Sequence, residues 1–118
     1  MTQSVYEDMT KSEKEVADYL YELKIWWQFE QPIYVWDDKD RPRVWTPDFY
    51  LPELGIYIEV CGSEKFDYRY RAGIYKKNRV PVIFIHRFKN KKQWSKFFRE
   101  RIFEIHAQRL AIIQKILN

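Results

Sequence analysis

Cys61 is the only thiol in 118 residues. This excludes an internal disulfide and any zinc site built from several cysteines, and it fits a reducing compartment. No apolar run approaches the roughly 20 residues that span a bilayer. The opening MTQSVYEDMTKSEKE has neither the charged segment nor the apolar segment of a secretory signal. A cytoplasmic protein with no membrane partner is therefore expected. Neither His86 nor His106 forms a recognisable arrangement with Cys61, so a cysteine nucleophile with a paired base is not expected, and a buried, inert thiol is the default. Internal repeats, linkers and low-complexity segments are absent as well, and the length predicts one domain over 1–118.

Apolar material is plentiful, with 46% hydrophobic residues and 22 aromatics, enough for a packed core. The net charge of +4 conceals a division of the chain. Residues 1–60 carry 6 Lys and Arg against 13 Asp and Glu, a net of −7, whereas residues 61–118 carry 15 against 4, a net of +11. Acids gathered in one half and bases in the other could hold a cation in one place and a polyanion around it. Solvated helix faces are the plainer account of the basic charges.

Residues 10–24 read as a helix: Thr10 or Ser12 can cap it, Glu13 and Glu15 suit its N-terminal dipole, and Val16, Leu20 and Leu23 recur at helical spacing. Residues 26–36 are aromatic and β-branched, giving one extended strand or two short ones around Pro32. Asp37 to Pro42 is a turn. Strands follow at about 43–51 and 55–61, linked through Pro52 to Gly55. Residues 63–77 predict a second helix interrupted by Gly73. Residues 80–86 form a continuous apolar run that suits a strand buried on both faces, and residues 90–117 a long helix. The order αβββαβ plus a C-terminal helix predicts an α/β fold with a mixed four-stranded sheet, its core at about 10–87.

The informative stretch is Thr46 to Gly62. Asp48 follows Pro47 near the end of one apolar strand, and Glu59 interrupts the apolar residues of the next, so a hairpin closed near Glu53 to Gly55 can bring both acids to one face. Burying an unpaired carboxylate is costly unless a metal or partner offsets it. Two adjacent carboxylates suit Mg²⁺ or Mn²⁺, and magnesium usually takes one or two protein carboxylates and fills its other positions with water and phosphate.

Pro47-Asp48 followed by Glu59-Val60-Cys61 resembles the signature of the PD-(D/E)XK nuclease superfamily, with Cys61 where the family has lysine. The element order is also similar to that family's restriction-endonuclease-like core. The resemblance implies a metal-dependent nuclease acting on nucleic acid, DNA before RNA. A cation would be ligated by Asp48, Glu59 and the Val60 carbonyl. Glu13, with Glu15 as alternative, occupies the first-helix segment from which many family members supply another acid, although helix capping explains Glu13 equally well. Glu30 could also face the site.

The family's lysine neutralises charge developing on phosphate or orients the attacking water, and a thiol supplies no fixed positive charge. Three readings of Cys61 stay open: a basic residue elsewhere does the work, the metal suffices alone, or hydrolysis is lost and binding remains. Lys65, Arg71, Lys76 and Lys77 are the candidates within reach. Tyr68, Arg69, Tyr70, Arg71 and Tyr75 interleave rings and bases as nucleic-acid contacts do, or pack an amphipathic helix on the sheet. Lys91 and Lys92 belong to a basic cluster, with Lys89, Lys96, Arg99 and Arg101, that suits nonspecific phosphate contact. Such nucleases often dimerise, and the stripe from Trp94 to Leu117 could serve as that interface or pack on its own sheet.

Overall fold

The computed structural model describes residues 4–118. A short 3-10 turn, Val5–Asp8, leads into helix α1, Lys11–Glu22. Strands β1 (Gln28–Phe29), β2 (Ile33–Trp36), β3 (Pro42–Trp45), β4 (Phe49–Leu51) and β5 (Ile56–Cys61) follow, then helix α2 (Arg69–Lys77), β6 (Val82–His86) and α3 (Lys91–Leu117). The main sheet is four-stranded in the order β1-β4-β5-β6, and β2 and β3 form a separate two-stranded ribbon. β4 runs antiparallel to β1 and β5, while β6 lies parallel to β5, so the sheet is mixed. The parallel pair follows from the β5-α2-β6 crossover, which returns the chain in its original direction.

The expected strand over 43–51 is two strands. Pro47 has no amide hydrogen, so pairing cannot continue through it. The chain changes partners there: β3 pairs with β2, from Ile33↔Trp45 to Trp36↔Pro42, and β4 joins the main sheet. The expected helix from 63 begins only at Arg69, because Asp67 accepts from the Arg69 amide at 3.0 Å and holds an exposed turn ahead of it. Residues 26–36 resolve into two short strands on either side of Pro32.

Alternation along β5 sends Ile56, Ile58 and Val60 to one face and Tyr57, Glu59 and Cys61 to the other. The first face builds the main core with Val16, Ala17 and Leu20 of α1, Phe49 and Leu51, Ile83 and Ile85, and Trp94 and Phe98 of α3. Tyr19 locks α1 onto α3 through edge-on contacts with Trp94 and Phe98, at centroid distances of 5.2 and 6.0 Å. Arg109 donates to the carbonyls of Leu54 and Gly55, tying α3 to the β4–β5 turn, where Gly55 takes the positive φ of 61° that favours glycine. Beyond Arg109 every residue of α3 is exposed.

The second face of β5 is covered by α2, which is anchored to the ribbon. The Asn78 side chain mimics a strand neighbour: its Oδ1 accepts from the Trp36 amide at 2.7 Å and its Nδ2 donates to the Trp36 carbonyl at 2.9 Å. Lys77 Nζ donates to the Asp37 carbonyl and to Asp40. Asp37 organises the ribbon turn. It is 3% exposed, and its carboxylate accepts from the amides of Lys39 and Arg41 and from Nε of Arg41 and Arg43. These bonds, led by the Arg41 amide, hold its carboxyl well below the ordinary 3.8. A depressed folded pKa stabilises above the unfolded value and is lost as pH falls. Asp37→Asn should therefore lower the thermal midpoint at pH 7, with the gap from wild type narrowing once pH drops below about 4. An equal gap at pH 7 and pH 3 in paired melting curves would sink this account.

Candidate metal and phosphodiester site

Pairing of β4 with β5 stops at Phe49↔Ile58, so the next register step sets Asp48 across from Glu59. The Tyr57 amide and the Cys61 carbonyl are bonded on the β6 side, to the Pro81 carbonyl and from the Arg87 amide respectively. Alternation then turns the N–H and C=O of Val60 toward the opposite edge. That edge has lost its strand partner, and Asp48 takes its place: Oδ2 accepts from the Val60 amide at 2.7 Å. The Asp48 carbonyl accepts from Glu30 on its other side, at 3.0 Å. Asp48, Glu59 and the Val60 carbonyl are thereby gathered on one strand end.

Glu13 joins them from the first turn of α1. The alternatives of cap and site acid are compatible, because Oε1 accepts from the Thr10 amide at 2.8 Å in a reciprocal capping box while the carboxyl also lies within hydrogen-bonding reach of Asp48. Burial, and then the charges of Glu59 and Glu13, push the Asp48 carboxyl up to about 7, against the opposing Val60 hydrogen bond. Burial also raises Glu59, which is 7% exposed, despite its ion pair with Arg71. Glu15 is engaged elsewhere, by Arg87, and Glu30 is exposed just past the end of β1.

Arg71 is the cation that reaches the acids. Its Nε donates to Glu59 Oε2 at 2.7 Å and its NH2 to the Tyr75 hydroxyl at 3.1 Å. The guanidinium lies 4.6 Å from the centroid of the Trp45 ring. Trp45 thus supports the site from β3, a role its alternating strand position gave no means of detecting, since only the break at Pro47 aims it at α2. Tyr75 is buried beneath the sheet face, with Trp45 at 5.2 Å and Phe84 at 6.1 Å between ring centroids.

The other basic candidates lie apart. Arg69 pairs with Asp67, Lys77 is held by the ribbon turn, and Lys91 pairs with Glu22. Lys65, Lys76 and Lys92 are exposed. Cys61 is fully buried, and burial followed by the Glu59 charge raises its thiol to about 12, so it stays protonated and inert at neutral pH.

The donor set of Asp48, Glu59 and the Val60 carbonyl is all hard oxygen, which fits Mg²⁺ or Mn²⁺. Among the described residues no group of three or more His, Cys, Asp or Glu side chains is arranged to hold a metal ion, and two carboxylates are as many as a magnesium site usually takes. No family model matches the chain, and no curated protein or solved structure is significantly similar to it.

Proposed function

We propose that the chain is a metal-dependent nuclease of the PD-(D/E)XK type, hydrolysing phosphodiester bonds in nucleic acid, DNA before RNA. The observation that carries the reading is Asp48 set across from Glu59 at the strand end, its Oδ2 on the Val60 amide and its carboxyl raised to about 7 by burial and by the Glu59 charge. Crowded carboxyls disfavour one another's ionisation, and a divalent cation is the partner that turns this cost into binding. Asp48, Glu59 and the Val60 carbonyl would hold Mg²⁺ or Mn²⁺, which supplies a Lewis acid when bound. Arg71 supplies the fixed positive charge that Cys61 cannot. It sits against Glu59 and is kept in place by Trp45 and Tyr75. No helix among the described residues is long and apolar enough to cross a membrane, and a cytoplasmic location belongs to the same proposal. So does a homodimer through the exposed end of α3, where Ile112, Ile113, Ile116 and Leu117 find no cover.

The second reading is a nucleic-acid-binding module without hydrolysis. It draws on the Arg71–Glu59 ion pair, which occupies one of the two ligating carboxylates. A nuclease assay on single-stranded, duplex and branched DNA and on RNA, with Mg²⁺ or Mn²⁺, separates the two. Cleavage by wild type that disappears in Asp48→Asn upholds the enzyme. Salt-sensitive binding by both proteins without cleavage by either favours the module.

A further inference from the structure

At the end of β6, one strand across from Glu59 and two from Asp48, lies a cavity of about 780 Å³. His86, Phe88 and Phe97 line it with Lys89, and the acids Glu64 and Glu100 belong to the same lining. A cleft of this volume, open to solvent on one side, is ligand-sized. Two of its lining residues carry buried polar atoms with no hydrogen-bond partner among the described residues, His86 Nδ1 and Trp94 Nε1. Such atoms are costly when left unmade. Burial and the Lys89 ammonium lower the His86 imidazole below its ordinary value, so the ring is neutral at pH 7. Trp94 Nε1 can only donate. Both atoms are sealed from solvent, so the cavity's accessible lining rings are those of Phe88 and Phe97, each 41% exposed. The His86 and Phe88 rings are 5.3 Å apart at their centroids. Lys96 lies 3.9 Å from Glu100, whereas Lys89 makes no ion pair among the described residues.

Position relates this cavity to the acids. Cys61 pairs with His86 and Glu59 with Phe84, so His86 lies one strand across and two residues beyond Glu59. Strand geometry makes that about 8 Å between backbones, a span that a nucleic-acid strand covers in very few nucleotides. The mouth lies outside the C-terminal ends of the parallel pair, where open α/β sheets commonly receive ligands.

We infer that this cavity receives one unpaired nucleotide of the substrate strand, its base between the Phe88 and Phe97 rings and its phosphate toward Lys89. The inference rests on the nuclease reading for the identity of the polymer, and it makes single-stranded extensions or junctions the preferred substrates. Stacking on aromatic rings tolerates any base, so the preference is for unpaired structure over sequence.

The test uses the full chain in EDTA, which separates binding from cleavage. Affinity is measured by fluorescence anisotropy for a blunt duplex and for the same duplex with a short single-stranded extension, comparing wild type with Phe97→Ala and Lys89→Ala, both at exposed positions. Wild type should bind the extended duplex about tenfold more tightly. Phe97→Ala should erase that difference while leaving blunt-duplex affinity unchanged, and Lys89→Ala should reduce it. Equal binding of both duplexes by wild type, or a preference untouched by Phe97→Ala, overturns the inference. Adenosine monophosphate competing as well as the extension, mole for mole, overturns the assignment to a strand and indicates a free nucleotide. Cleavage of DNA without the preference defeats this inference alone. A preference without cleavage of any substrate upholds the cavity and defeats the nuclease reading.

Discussion

Asp48→Asn should make the metal-free protein more stable at pH 8 while reducing phosphodiester cleavage by at least about 10²–10³-fold, the scale on which a preorganised electrostatic group acts. The asparagine keeps an oxygen for the Val60 amide, which Asp48 satisfies at 2.7 Å, and it deletes a charge that the fold disfavours. The Asp48 carboxyl is raised from 3.8 to about 7, first by burial and then by its acidic neighbours. A raised folded pKa means that the native state holds a proton the unfolded chain has released, so the contribution is fully present below about 4 and is lost as pH rises through about 7. The variant lacks this loss. Its advantage over wild type should be absent at pH 4, grow toward pH 7 and level off above, reaching of order 2 kcal/mol, about half of what the full shift would give because water screens this half-buried carboxyl, or about 5–10 °C in melting temperature for a domain of this size. Divalent cation should reverse the order. Mn²⁺ at a hundred times its dissociation constant would stabilise wild type by about 2.7 kcal/mol and leave the variant unmoved. Melting curves at three pH values with and without Mn²⁺ read all of this. A variant less stable than wild type at pH 8 in EDTA would show that Asp48 is a structural staple whose charge the fold wants.

This opposition between folding and function explains which parts of the site are legible in the sequence. An acid after Pro47 and another among Ile58 and Val60 stand out because a core has no use for them, and the short turn between the strands fixes their register. Arg71 did not stand out from Lys65, Lys76 and Lys77. Which base reaches Glu59 depends on where α2 begins, and that start is set by the Asp67 turn and not by any apolar period. The split of residues 43–51 at Pro47 was hidden for a related reason. Val44, Trp45, Phe49 and Tyr50 all favour strand, and only the tertiary competition between β2 and β4 assigns them to different partners. By contrast, the β5-α2-β6 crossover follows from connection rules that apply to any such chain, and the first turns of α1 and α3 carry their own caps in Thr10 and Asn90.

Arg71→Ala should be the more damaging change to the fold. It leaves Glu59, a residue only 7% exposed, without its ion-pair partner, and it removes the cation from the Trp45 face. Deleting one partner of a buried ion pair costs about 3 kcal/mol or more. Glu59 is already raised by burial, and without Arg71 it rises further, so protonation relieves the loss at low pH. The deficit should be large at pH 8 and shrink toward pH 5, as expected when stability falls as pH climbs through a raised folded pKa. Arg71→Lys keeps the charge but loses the paired contacts to Glu59 and Tyr75, so it should be milder in stability and intermediate in cleavage. The decisive comparison adds Cys61→Lys to Arg71→Ala. Residues 59 and 61 share a strand face, so a lysine at 61 can extend into the space vacated by the guanidinium and meet Glu59. In wild type the same lysine has no room, because Cys61 is fully buried, and Cys61→Lys alone should destabilise by about 1–3 kcal/mol. The double variant should recover at least tenfold of the cleavage lost in Arg71→Ala, because the site needs a positive charge against Glu59 whichever element delivers it. Cleavage by Arg71→Ala at the wild-type rate would mean that Arg71 serves the fold alone and that the metal carries the phosphate charge without it.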